Sequence, residues 1–192
     1  MAEAVRIPIS PDARLPTRRT LDERLFVRWP GAFAPLARAV NRLPPRSRLR
    51  RALLRSDVRA AFAAWNRKDL EAVVARVHPQ IVYHPRADEP DPSPHVGRDA
   101  YEQLVYGFVD SFSRVTFEVL EVIDAGDHVI TSTVLHAVLR GQESASGAGV
   151  SDTYVFVYKL RDGLVVECWE YRTKQEALEA VGLSEQDAYA DS

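Results

Sequence analysis

Apolar residues follow two rhythms along this chain, and the change from one to the other outlines the architecture. Val58, Ala61, Phe62 and Trp65 recur at i, i+3, i+4 and i+7, which predicts a helix over Asp57 to Asn66. Asp69 is placed to cap the next helix, whose Leu70, Val73, Val74 and Val77 share one face. A third helix is predicted from Arg98 to Phe112, carrying Tyr101, Leu104, Val105 and Phe108. Ile81 to His84 is a short strand stopped by Pro85, and the proline-rich ADEPDPSP that follows reads as a loop. After residue 112 the period falls to two. Strands are expected over Val115 to Ile123 and His128 to Leu139, joined by Ala125-Gly126-Asp127. The close, SDTYVFVYKLRDGLVVECWEYRTKQEALEAVGL, reads as strand, Asp162-Gly163 turn, strand and helix. A T-x-x-E capping box, Thr173 to Glu176, opens that helix and Gly182 can end it. Helices first and long strands afterwards give an α+β order, with helices collected on one face of a curved antiparallel sheet.

The first 55 residues follow neither rhythm for long. Pro8, Pro11 and Pro16 make residues 1–20 irregular, and short helices are expected at Leu21–Arg28 and Pro35–Leu43. The expected organisation is a basic extension over 1–55, one domain over 56–184 and a tail over 185–192. Charge sharpens this division. Residues 1–59 hold 14 Arg against five acids, whereas the rest of the chain holds 22 acids against 11 basic residues. Such an arm fits an anionic membrane surface, contacted peripherally, or the acidic domain of its own chain or of a partner. Without interleaved stacking aromatics, nucleic acid is the minority reading of the arm. The single cysteine, Cys168, precludes an intramolecular disulfide and, with no long apolar leader at the start, points to the cytoplasm.

The segments AFAAWNRKDLEAVVARVHPQIVYHP, GRDAYEQL and LRDGLVVECWEYRTKQEALEAVGL, in that order, resemble the SnoaL-like proteins of the nuclear transport factor 2-like superfamily. The resemblance spans Ser56 to Leu183. It implies a cone, in which a curved antiparallel sheet and its helices surround a cavity. Members include ketosteroid isomerase, polyketide cyclases and a type of limonene epoxide hydrolase, so the fold alone does not select a reaction. Against ketosteroid isomerase, His84 stands before Pro85 where that enzyme has its general-base Asp. Asp152 matches its second, protonated Asp. Ala61 and Phe62 fall where its oxyanion tyrosine would be, which argues against steroid isomerisation.

The resemblance implies a catalytic pair, His84 as base and Asp152 as acid or hydrogen-bond donor, assisted by His136 or Glu170. The expected cavity lining is Trp65, Val82, Ser132, Val134, His136, Tyr154, Cys168 and Glu170. An apolar cone with few polar groups is the usual form of a small-molecule site. The expected function is therefore that of a cofactor-independent isomerase, cyclase or hydrolase acting on a lipophilic small molecule. The alternative is a non-catalytic binding or assembly module, paired as a homodimer through an outward row of Thr153, Val155 and Val157. The five histidines show no metal-ligand spacing, and GQESASGAG (141–149) lacks the Lys-Ser/Thr of a phosphate loop. No cofactor and no metal are expected.

Overall fold

The structure is a computed structural model that describes residues 4–9, 15–141 and 149–186. Six α-helices and seven strands are found among them: β1 (Val5–Ile7), α1 (Leu21–Arg28), α2 (Ala34–Asn41), α3 (Arg48–Asn66), α4 (Leu70–Val74), β2 (Val77–His84), β3 (His95–Val96), α5 (Arg98–Ser111), β4 (Phe112–Ala125), β5 (His128–Leu139), β6 (Gly149–Arg161), β7 (Leu164–Tyr171) and α6 (Lys174–Ala180). The strands form one curved sheet in the order β1-β4-β5-β6-β7-β2-β3. It is a mixed sheet, because β2 runs parallel to β7 and the remaining pairs are antiparallel. The loop expected at 141–149 lies mostly outside the described residues. No described helix is long and apolar enough to cross a membrane.

Local chemistry accounts for most of these boundaries. Asp69 accepts from the Ala72 amide and starts α4, and both halves of the Thr173–Glu176 capping box are formed at α6. Asp162 (φ 55°) and Gly163 (φ 81°) are both left-handed, as the tight turn between β6 and β7 requires. A β-bulge between Val119 and Glu121 shifts the register of β4. Val115, Phe117 and Val119 thus join the main core before it, and Val122 joins after it.

Besides the parallel β2–β7 pair in a sheet expected to be antiparallel, the structure departs from the sequence reading in three places. The N-terminal segment is not wholly irregular: Val5–Ile7 pairs with β4, and Ile7 is fully buried. The first long helix begins nine residues earlier than expected, at Arg48, with the Ser47 hydroxyl capping the Arg50 amide. Its added turns continue the buried stripe through Leu54, and the polarity of RSRLRR conceals this. The third departure is the outer face of the sheet. Val155 and Val157 are not an open row for a second copy; each is 1 % exposed, packed with Ile123, Ile130, Ala177, Leu178 and Leu183 beneath α6.

The basic arm lies across its own acidic domain. Arg19 forks onto Asp69 and Glu71, Arg38 onto Asp162, and Arg67 of α3 reaches back to the buried Glu23 of α1 at 2.7 Å. Arg50 is the most deeply placed of these arginines. It donates Nε and Nη2 to the Asp124 carboxylate at 2.6 and 2.7 Å, and Nη1 to the carbonyls of Asn41 and Leu43 at 2.9 Å each. Arg50 is 5 % exposed and Asp124 fully buried, so losing either partner strands a charge in the interior. Arg50→Met is expected to lower stability by about 3–5 kcal/mol in urea denaturation, and Arg50→Met with Asp124→Leu to recover most of that loss. A loss below about 1 kcal/mol, the range of an exposed pair, would contradict this role.

Candidate functional site

Between the concave face of the sheet and helices α3 and α5 lies a cavity of about 150 Å³. Its wall is largely aromatic. Trp65 and Phe108 meet edge to face at 6.1 Å, and Trp65 packs against Phe117 at 5.6 Å. Along β6 the alternate residues Tyr154, Phe156 and Tyr158 form a stacked ladder with ring spacings of 5.9 and 5.8 Å. Cross-strand pairing fixes what stands beside them: Phe156 opposite Glu170, and Tyr158 opposite Cys168. The parallel strand β2 brings Tyr83 beside Cys168, and α5 contributes Tyr101, 5.7 Å from the Tyr83 ring.

Two carboxyls line this space: that of Asp57, exposed and paired with Arg76, and that of Glu170. Burial pushes the pKa of Glu170 above the usual carboxylate value, since an anion there has lost its water. The Tyr83 hydroxyl opposes the shift by donating to Oε1 of Glu170. Glu89 adds to the upward push, and Arg86 works against it through both its charge and its backbone amide. Tyr83, Tyr101 and Tyr158 are held protonated by the same desolvation, so each remains a hydrogen-bond donor. Tyr154 is pushed up to about 12, again mainly by burial. Cys168 is 4 % exposed and its thiol is shifted upward by burial and by Glu170, the opposite of what a nucleophilic thiolate needs.

Of the residues expected to line the cavity, Trp65, Tyr154, Cys168 and Glu170 do so. Val82, Ser132, Val134 and His136 do not. The odd-numbered residues of β5 point inward: Thr131, Thr133 and Leu135 are directly opposite Phe156, Tyr154 and Asp152. His136 sits outside, exposed, with Glu118 at 3.6 Å and Ser151 at 3.4 Å. On β2 the inward residues are Ile81 and Tyr83, which leaves His84 on the outer face, stacked on Trp169 at 5.3 Å and 6°. Asp152 shares the parity of Tyr154 but lies beyond it. Arg86 Nη1 donates to its carboxylate at 3.0 Å, and the Arg86 guanidinium lies 4.5 Å from the centre of the Tyr154 ring. The structure therefore separates His84 from Asp152, and it gathers Glu170, Tyr83, Tyr101 and Tyr158 instead. Tyr158 is legible in the alternation of β6. Tyr83 and Tyr101 carry no signal that sets them apart from core aromatics.

A family profile described as the SnoaL-like domain matches residues 58–168, more than half of the chain. The chain belongs to the SnoaL-like domain family. Solved structures agree on the fold. An NTF2-like protein of unknown function from Burkholderia pseudomallei superposes with a TM-score of 0.52 at 15 % identity, over 66 % of this chain and 95 % of that one. AclR, a candidate hydroxylase from Streptomyces galilaeus, gives 0.51 at 25 % identity, over 68 % and 96 %. A candidate SnoaL-like polyketide cyclase from Jannaschia sp. CCS1 gives 0.51 at 19 %, over 66 % and 88 %. No protein of curated function matches this SnoaL-like chain in sequence. Among its described residues no three His, Cys, Asp or Glu side chains are grouped to hold a metal ion.

The raised pKa of Glu170 has a consequence for stability. Above the ordinary value of 4.5 the unfolded chain ionises at this position while the folded chain still holds its proton. The native state then binds more protons than the unfolded one, and stability falls as pH rises. Relative to Glu170→Gln, the native chain is expected to lose stability from pH 4.5 upward until the folded carboxyl has ionised, and to keep a constant offset above that. Urea denaturation of both proteins across this range measures it, and a difference that is flat or grows with pH would contradict the burial of this carboxyl.

Proposed function

We propose that the cavity binds a lipophilic, ring-bearing small molecule and that Glu170 transfers a proton on it, in an isomerisation or cyclisation. The observation that carries the reading is a carboxyl with an upward-shifted pKa inside an apolar, tyrosine-walled cavity. Desolvation brings such a group closer to the pH at which it can both accept and return a proton. Ionised Glu170 would remove a proton from carbon next to a ring carbonyl. The phenols of Tyr101 and Tyr158 would donate hydrogen bonds to the carbonyl oxygen as it gains negative charge. Protonated Glu170 would then return the proton at another carbon. Tyr83 holds the carboxyl in place and limits how far its pKa rises. Membership of the SnoaL-like family, and the likeness to AclR and to the candidate polyketide cyclase, are consistent with a lipophilic ring substrate.

An aryl ketone such as 1-indanone provides a test without knowledge of the natural substrate. The protein is expected to accelerate exchange of its α-protons in heavy water, followed by NMR. The rate should rise with pH through the Glu170 pKa, and Glu170→Gln should reduce it by about 10²–10⁴-fold with ketone binding retained. Binding of the ketone without accelerated exchange would favour a non-catalytic binding module instead.

A further inference from the structure

A second cavity, of about 330 Å³, lies between the N-terminal arm and the domain. It adjoins the first, because Leu54, Asp57, Arg76, Val129, Leu160 and Gly163 line both. The inner space alone is small. A cavity near 150 Å³ is the size that holds benzene, whereas sites for larger ligands run from about 300 to 1,000 Å³. The outer cavity adds the volume that brings the combined site into that range. The outer wall is apolar where the arm supplies it, through Phe26 of α1, Phe33 of the intervening turn, and Leu36 and Val40 of α2. Four of the charged residues on the same wall are engaged in pairs, Glu23 with Arg67, Asp57 with Arg76, and Arg50 with Asp124, while Asp22 and Asp127 also border the cavity. A ligand against the arm would meet the aromatic and aliphatic surface of Phe26, Phe33, Leu36 and Val40.

The arm is held in a fixed position over this space. Arg38 forks onto Asp162 at 2.6 and 3.1 Å, at the turn where Gly163 packs so closely on α2 that an added Cβ would meet the Cβ of Ala37 at 2.9 Å. Arg76 pairs with Asp57 and lies 5.3 Å from the centre of the Phe26 ring, joining the arm to the wall shared by both cavities.

From this geometry we propose that the arm cavity is the outer half of the ligand site, taking an apolar extension of a molecule whose ring lies beside Glu170. The inference rests on the inner-site reading above and specifies its substrate class: a ring carrying an alkyl chain or second apolar group, uncharged along that extension. It also gives the arm a function, as one wall of the binding site.

A series of para-alkylphenols, from phenol upward in chain length, tests both halves when titrated into the full chain by calorimetry. Affinity is expected to rise roughly fourfold per methylene, the gain from burying one CH₂, until the outer cavity is full. Val40→Trp, which fills that cavity from the arm, should flatten the dependence on chain length; Leu36→Trp repeats the test at its rim, with circular dichroism confirming that each variant is folded. Phenol binding with no gain along the series would overturn the outer site and leave the inner one standing. A chain-length gain that survives in both folded variants would also overturn it, by showing that the chain lies elsewhere. No binding by any member would remove the inner site and this inference with it.

Discussion

The buried contact between Arg50 and Asp124 is the constraint on which the rest of the molecule depends. An arginine with little access to water must have its donors met, and here they are shared between one carboxylate and the backbone carbonyls at the end of α2. That sharing sets three elements against one another: the second arm helix, the start of α3 and the β4–β5 hairpin. Where α3 lies decides where Phe62 and Trp65 stand against the sheet, and where α2 lies decides whether the outer cavity has a wall. Part of the arm's excess of arginine thus serves internal docking. Four of its arginines (Arg6, Arg19, Arg38 and Arg50) meet acids of the domain.

The same desolvation acts in opposite senses at the two ends of the molecule. At Arg50 the lost hydration is offset by a charge partner and carbonyl oxygens, and the result is rigid attachment. At Glu170 only a tyrosine hydroxyl, a backbone amide and the more distant charge of Arg86 oppose it, so the proton is retained more firmly. The contrast sets Glu170, a desolvated carboxyl on the cavity wall, apart from Asp152, which is ion-paired with Arg86.

Much of the fold was legible in the chain because its signals are local. Capping residues, the Asp162-Gly163 turn and the alternation along β6 depend on neighbours in sequence, and each appears where expected. The faces of β2 and β5 were not legible in this way. Both sides of β5 are covered, the concave side by α3 and α5 and the convex side by α6, so apolar residues occur at both parities and alternation loses its meaning. Thr131 and Thr133, fully buried and polar, point the wrong way for any simple rule. His84 attracts attention by residue type, but its ring is better placed against Trp169 outside than among tyrosines inside. Tyr83 and Tyr101 become functional candidates only once the parallel β2–β7 pairing brings residues 83 and 170 together, a contact spanning 87 positions.

The central claim is that Glu170 keeps its proton above the ordinary carboxylate range, and one titration tests it directly. Glutamate carrying carbon-13 at its side-chain carboxyl would be followed by NMR against pH, with Glu170→Gln identifying the resonance. The account requires a midpoint above 4.5, moving further upward in Tyr83→Phe as the opposing hydrogen bond is lost. A midpoint at or below 4.5 would mean that the carboxyl is solvated or charge-paired, and would contradict the proton-transfer role assigned to it.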